Sequence, residues 1–150
     1  MKKLIDVYAY RIKEGEPEFL LFLRSAKKIY AHQWRMIGGK VKEGERYWEA
    51  ALRELKEETG LSPEQFWTIP SVNTFYEPKS DQIHQIPAFA VELSSKAVPE
   101  LDSEHTEYRW ISIDELDSYL HWPEQKRLIR LTNDLLVNDQ ILPEWRIPIP

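Results

Sequence analysis

The stretch "GKVKEGERYWEAALRELKEETGL", residues 39–61, begins in glycine-punctuated turn chemistry and runs into a segment that gathers acids. Its second half predicts a helix over 46–59, with Gly60 as a C-cap that can take the left-handed conformation. Trp48, Leu52, Leu55 and Thr59 fall on one side and supply a stripe for packing. Glu54 and Glu58 are four residues apart and share a face, with Glu57 flanking it. Like charges at that spacing weaken a helix, so a gain must lie elsewhere. Arg53 is four residues after Glu49 and four before Glu57, within reach to bridge or orient the acids. Carboxylates on one side of a packed helix suit a hard divalent cation such as Mg2+. The plain alternative is a solvated, charged helix face. An EF-hand is excluded, because no D-x-[DN]-x-[DN]-G loop is present.

Taken whole, the stretch resembles the Nudix box, G-x5-E-x7-R-E-U-x-E-E-x-G-U with U aliphatic. Gly39, Glu45, Arg53, Glu54, Leu55, Glu57, Glu58, Gly60 and Leu61 fill its nine fixed positions without a gap. The resemblance implies an α/β fold: a loop–helix–loop motif in an α/β/α sandwich with a mixed sheet. It also implies Mg2+- or Mn2+-dependent hydrolysis of a nucleoside diphosphate linked to another moiety. By the same resemblance Glu54, Glu57 and Glu58 carry the metals, Gly39 adds its carbonyl oxygen, and Arg53 with Glu45 orients the carboxylates. The segment "SEHTEYRWISIDEL", 103–116, looks like the one that follows the family's central sheet. There an acid completes the metal site or acts as general base; Glu104 is the candidate, with Glu107 and Glu100 behind it. The segment is most similar to those of dihydroneopterin-triphosphate and deoxynucleoside-triphosphate pyrophosphohydrolases. One departure is Ile37, where many members carry proline before the paired glycines. Signatures typical of ADP-sugar, coenzyme A or dinucleoside-polyphosphate members are not evident.

Outward from the box, "LIDVYAYRI" (4–12) and "EFLLFLRS" (18–25) read as strands joined by turn residues into a hairpin. Residues 27–45 read as loop and short strand. "WTIPSVNTFY", "QIPAFAVEL" and "TEYRWISI" read as further strands, with Pro87 pointing to an edge or strand-start position. Ser112 or Asp114 can start a helix, and Pro123 opens another bearing Leu128, Leu131, Leu135 and Leu136 at helical spacing. The Pro-rich tail carries Ile141, Leu142 and Trp145, which predict that it packs on the rest. With 150 residues and no linker or repeat, one domain is expected over 1–150.

The net charge of −5 argues against broad nucleic-acid binding. The absence of cysteine removes disulfides and thiolate metal sites. No stretch approaches the roughly 18 apolar residues of a membrane span, and no signal-like segment opens the chain, so a cytoplasmic protein is expected. Trp34, Tyr30, Phe75 and Tyr76 are candidates for stacking a base, against the commoner role of core packing. Trp34 is favoured for the ligand, whereas Trp110 reads as structural. Arg24, Lys27, Lys28, Arg35 and Lys40 are candidates for phosphate contact. Four scattered histidines show no zinc spacing, although His84 and His105 are candidates to lie near the site.

The expected activity is therefore attack of water on a diphosphate linkage in a nucleoside or pterin triphosphate, with Glu58 or Glu104 accepting the proton. The partner is a small molecule, with no nucleic acid or membrane, and the resemblance allows a homodimer. Two alternatives are carried: a non-enzymatic nucleotide sensor on the same fold, and a Nudix hydrolase of sugar nucleotides, dinucleoside polyphosphates or capped RNA.

Overall fold

Leu4–Lys13 (β1) and Glu16–Arg24 (β2) form the predicted hairpin, turning through Glu14 and Gly15, both at positive φ. These and the following elements belong to a computed structural model that describes residues 2–26 and 32–150. Tyr30, Lys27 and Lys28 lie outside the described residues. Antiparallel pairing of β1 with β2 extends only from Lys13↔Glu16 to Tyr10↔Phe19. Beyond it the hairpin opens, and the segment 34–40 fills the wedge. Trp34–Arg35 (β3) pairs with β2, and Ile37–Lys40 (β4) pairs with β1. On its other edge β1 runs parallel to Gln82–Glu92 (β6), which pairs antiparallel with Gln65–Glu77 (β5). His105–Ile111 (β7) closes the far side against β2. The sheet is mixed: among the described residues the β1–β6 pair is parallel and the other strand pairs are antiparallel.

Strict alternation along the central strands divides the core. Ile5, Val7, Ala9, Leu20, Phe22, Phe89 and Val91 face one way and pack on Ala50, Ala51 and Leu55 of the helix Tyr47–Thr59 (α1). Tyr8, Tyr10, Phe19, Leu21, Ala88 and Ala90 face the other way, onto Leu116 of the short helix Leu116–Tyr119 (α2) and its C-cap Leu120, and onto Leu128, Ile129 and Leu135 of Pro123–Val137 (α3). A strand buried on both faces reads as a continuous apolar run, which is how "EFLLFLRS" reads. The result is the expected α/β/α sandwich.

β6 is longer than its apolar pattern suggested. Pairing with β1 begins at Ala88, so Gln82–Pro87 contacts β5 alone and needs no alternation of apolar residues. Pro87 sits where β6 has no second neighbour, so its missing N–H breaks no ladder bond to β1. The tail packs as expected: Trp67 bridges to Arg146, the N–H of Ile147 donates to the carbonyl of Phe66 (2.9 Å), and Trp145 lies against the α3-side core. Among the described residues no helix is long and apolar enough to cross a membrane.

Candidate active site

The acids of α1 are held by two devices, one at each end of the helix. At the N-terminal end Glu49 reaches back to accept the N–H of Arg46 (2.9 Å), fixing the first turn. At the other end Gly60 adopts φ 73°, the Thr59 hydroxyl donates to the Leu55 carbonyl (2.7 Å), and the Glu100 N–H donates to the Thr59 carbonyl (2.8 Å). That last bond ties the loop before β7 to the end of α1. The same loop is fastened again where the Ser25 N–H donates to the Glu104 carbonyl (2.8 Å). Residues 100–105 are thereby laid across the last turn of α1, beside Glu58.

Arg53 is the hub. Nε donates to Glu45 Oε2 (2.8 Å) and Nη2 to Glu45 Oε1 (3.1 Å), a bidentate grip; Nη1 donates to Glu54 Oε1 (2.8 Å) and Glu57 Oε2 (3.2 Å). Nη2 also donates to the Lys40 carbonyl (2.8 Å), joining β4 to the helix. The Arg53 guanidinium and the Lys42 N–H hold the Glu45 carboxyl down at about 2. Gly39 lies against Glu54: a Cβ at that position would overlap the Glu54 carboxyl carbon.

The three box glutamates sit in different environments. Glu57 is half exposed, with 52% of its side chain accessible, whereas Glu58 is buried (5%). Burial pushes Glu58 up to about 10, and the carboxylates of Glu54, Asp102 and Glu104 push in the same direction. Among the described residues Oε2 of Glu58 has no hydrogen-bond donor. A buried carboxylate oxygen without a donor, ringed by other carboxylates, is strongly unfavourable unless a cation or proton joins it. The donor set, oxygen-rich and clustered, fits a divalent cation.

Glu104 therefore comes to the acids of α1. Glu100 lies against Gly60, and Glu107 points outward from β7. Two further residues join the cluster: His105, a candidate to lie near the site, and Asp102, never singled out from the sequence. Asp102 Oδ1 is 2.8 Å from His105 Nδ1, and His105 Nε2 is 3.8 Å from Glu58 Oε1. Four acids crowd 100–107, and only the pinning of this loop separates them; the one sequence signal for Asp102 was its place three residues before a histidine.

The substrate candidates divide. Lys40 lines a cleft of about 370 Å3 with Lys2, Lys3 and Lys42, directly beside the Arg53–Glu45 pair. Trp34 lies on the opposite face of the sheet, edge-on to Tyr119 (5.7 Å) and under Arg109. Arg35 lies 5.8 Å from the Trp122 ring. Tyr76 and Phe75 belong to the projecting β5–β6 ribbon, where the Tyr76 hydroxyl donates to Asp81 (2.7 Å) and Phe75 stacks on His84. His84 takes its contacts there and is not brought to the acids. Trp110 packs on the α1-side core beneath Arg11 (4.3 Å).

Comparison with known proteins gives consistent relatives. The profile of the NUDIX domain matches residues 2–132. The asymmetrical bis(5'-nucleosyl)-tetraphosphatase of Caenorhabditis elegans is 28% identical over 130 residues, covering 85% of this chain and 91% of that protein. The crystal structure of a C. elegans Ap4A hydrolase binary complex superimposes with a TM-score of 0.74 at 26% identity, over 91% of this chain and 99% of that one. The nucleoside triphosphatase NudI of Klebsiella pneumoniae is 26% identical over 114 residues, covering 71% of this chain and 81% of that protein. With a complete acidic box on the matching fold, and a family profile spanning most of its length, this chain belongs to the NUDIX domain family and is a Nudix-type hydrolase.

Proposed function

We propose that residues 1–150 form one catalytic domain that hydrolyses a diphosphate linkage in a nucleoside or pterin triphosphate, releasing pyrophosphate and a monophosphate, with Mg2+ or Mn2+ as cofactor. The observation that carries this reading is Glu58: buried, lacking a donor at Oε2, and surrounded by Glu54, Asp102 and Glu104. A divalent cation bound among these carboxylates supplies neutralisation of phosphate charge and acidification of the attacking water. Arg53 keeps Glu54 and Glu57 aimed, and Glu45 keeps Arg53 in place. Glu104, at the edge of the cluster, takes the proton of the attacking water. The lysines of the adjacent cleft receive the negative phosphates in a chain whose overall charge would otherwise repel them. Gly39 offers its carbonyl oxygen to the cation. Trp34, Arg35 and Tyr76 remain the proposed contacts for the rest of the substrate.

A second reading, hydrolysis of a dinucleoside tetraphosphate, has support from the C. elegans relative, which covers nearly the same length. The two are separated by assaying nucleoside triphosphates, dihydroneopterin triphosphate, diadenosine tetraphosphate and sugar nucleotides with Mg2+, following products by chromatography. Phosphate release after added inorganic pyrophosphatase reports the first. Triphosphates are expected to yield phosphate only when pyrophosphatase is present. Turnover confined to diadenosine tetraphosphate would replace the first reading by the second, and turnover of nothing in the panel would count against both.

Arg53→Lys keeps the charge but loses the fork that grips Glu45 while touching Glu54 and Glu57. Divalent-cation affinity, measured by calorimetry, is expected to fall by about 10-fold, the usual lower bound for removing a group that orients ligands. An unchanged affinity would show that the acids hold their positions without it.

A further inference from the structure

His105 opens β7 with its imidazole buried against the ring of Phe22, centroids 5.2 Å apart, and only 1% of the side chain is accessible. Its Nδ1 is engaged by Asp102 Oδ1 at 2.8 Å, an oxygen that also accepts the Glu104 N–H at 3.1 Å. Nε2 is thereby turned toward Glu58 Oε1 at 3.8 Å. That separation is too long for a hydrogen bond. It is ordinary for two atoms bound to one ion, because ligand bonds of about 2.0–2.3 Å leave neighbouring donors roughly 3–4 Å apart. One donor atom from each of Glu58, Asp102 and His105 lies within 4.8 Å of the others. The independent sign of a missing ligand is Glu58 Oε2, buried and without a donor among the described residues. A histidine whose other nitrogen is held by a carboxylate is the usual arrangement of a metal-binding imidazole, since the carboxylate fixes both the tautomer and the ring orientation.

The geometry points to His105 Nε2 as a nitrogen ligand beside Glu58, giving a mixed nitrogen–oxygen cation site that prefers a divalent transition ion such as Mn2+ over Mg2+, with Asp102 holding the imidazole from its Nδ1 side. It rests on the reading that a cation sits at Glu58, and adds a donor that the box itself does not contain. The preference follows from ligand chemistry: imidazole adds little to binding of Mg2+, which favours oxygen and retains its waters, and more to binding of transition ions. A histidine present only to pack β7 would satisfy Phe22 and Asp102, but would give no reason for Nε2 to face a buried carboxylate.

Pulsed electron paramagnetic resonance of the full chain loaded with Mn2+ tests this directly. The parent is expected to show 14N coupling that converts to 15N coupling when only its histidines carry 15N, and His105→Gln is expected to lose it. Because the label is read in the parent, the result does not depend on a variant folding. In titrations with Mn2+ and Mg2+ alone, His105→Gln is expected to lose about 10-fold in Mn2+ affinity and distinctly less for Mg2+. Bound Mn2+ without histidine coupling overturns the inference and leaves the carboxylate site of the proposed function intact. Coupling that survives His105→Gln assigns the nitrogen to another histidine and also overturns it. Failure of the parent to bind either cation overturns both.

Discussion

Replacing Glu58 by glutamine is expected to lower turnover by about three orders of magnitude, equivalent to about 4 kcal/mol of transition-state stabilisation. In the metal-free protein the same change is expected to raise stability at pH 8. The two effects have one cause. Glu58 is buried among Glu54, Asp102 and Glu104, so its proton is retained in the folded chain up to about pH 10, against an ordinary 4.5. Between those values the folded state binds more protons than the unfolded state, and stability falls as pH rises. The cost is absent below the ordinary value and complete above about pH 10. Glutamine carries no charge to desolvate and escapes it. Thermal melts of parent and Glu58→Gln in chelator at pH 5 and pH 8 should diverge, with the variant gaining at the higher pH. Adding divalent cation should restore the parent and leave the variant unmoved. Turnover that survives the substitution would remove Glu58 from the chemistry. A variant less stable than the parent at pH 8 in chelator would show that the buried carboxylate is satisfied in a way the geometry does not reveal.

Gly39→Ala is expected to cost about 100-fold in kcat, because it shifts a carboxylate placed for chemistry by about an ångström. Gly39 is not among the glycines with positive φ, which are Gly15, Gly44 and Gly60. Alanine would therefore tolerate the backbone there. The obstacle is space: the new methyl group would overlap the carboxyl carbon of Glu54, and Glu54 would swing away from its bond with Arg53. The folding cost should stay within the 1–3 kcal/mol typical of overpacking, because the displaced group is the end of a side chain. Urea unfolding beside steady-state kinetics separates the two effects. A near-normal kcat would mean that the reaction does not need Glu54 where Gly39 lets it lie.

Much of the fold was legible because buried strands and amphipathic helices repeat with fixed periods. "LIDVYAYRI", "EFLLFLRS" and the leucines of α3 announced themselves in that way, and Gly60 marked the end of α1. The β5 half of the β5–β6 ribbon lay within "WTIPSVNTFY", but the start of β6 at 82–84 was not announced, since a two-stranded extension with no third neighbour has no apolar face to declare. The opening of the β1–β2 hairpin to admit β3 and β4 was equally silent, because strand order is a matter of which edges meet.

The linear chain determined that three glutamates and an arginine share one helix with glycines at both ends, since helical geometry converts spacing into direction without further information. Only tertiary structure decided that these glutamates are unlike one another, with Glu57 facing solvent and Glu58 enclosed. It alone brought Asp102 and His105 across from another segment, and it alone put Trp34 on the opposite face from the acids. The physical reason is that burial and proximity between distant segments arise from packing two layers on a sheet, and no local period encodes them.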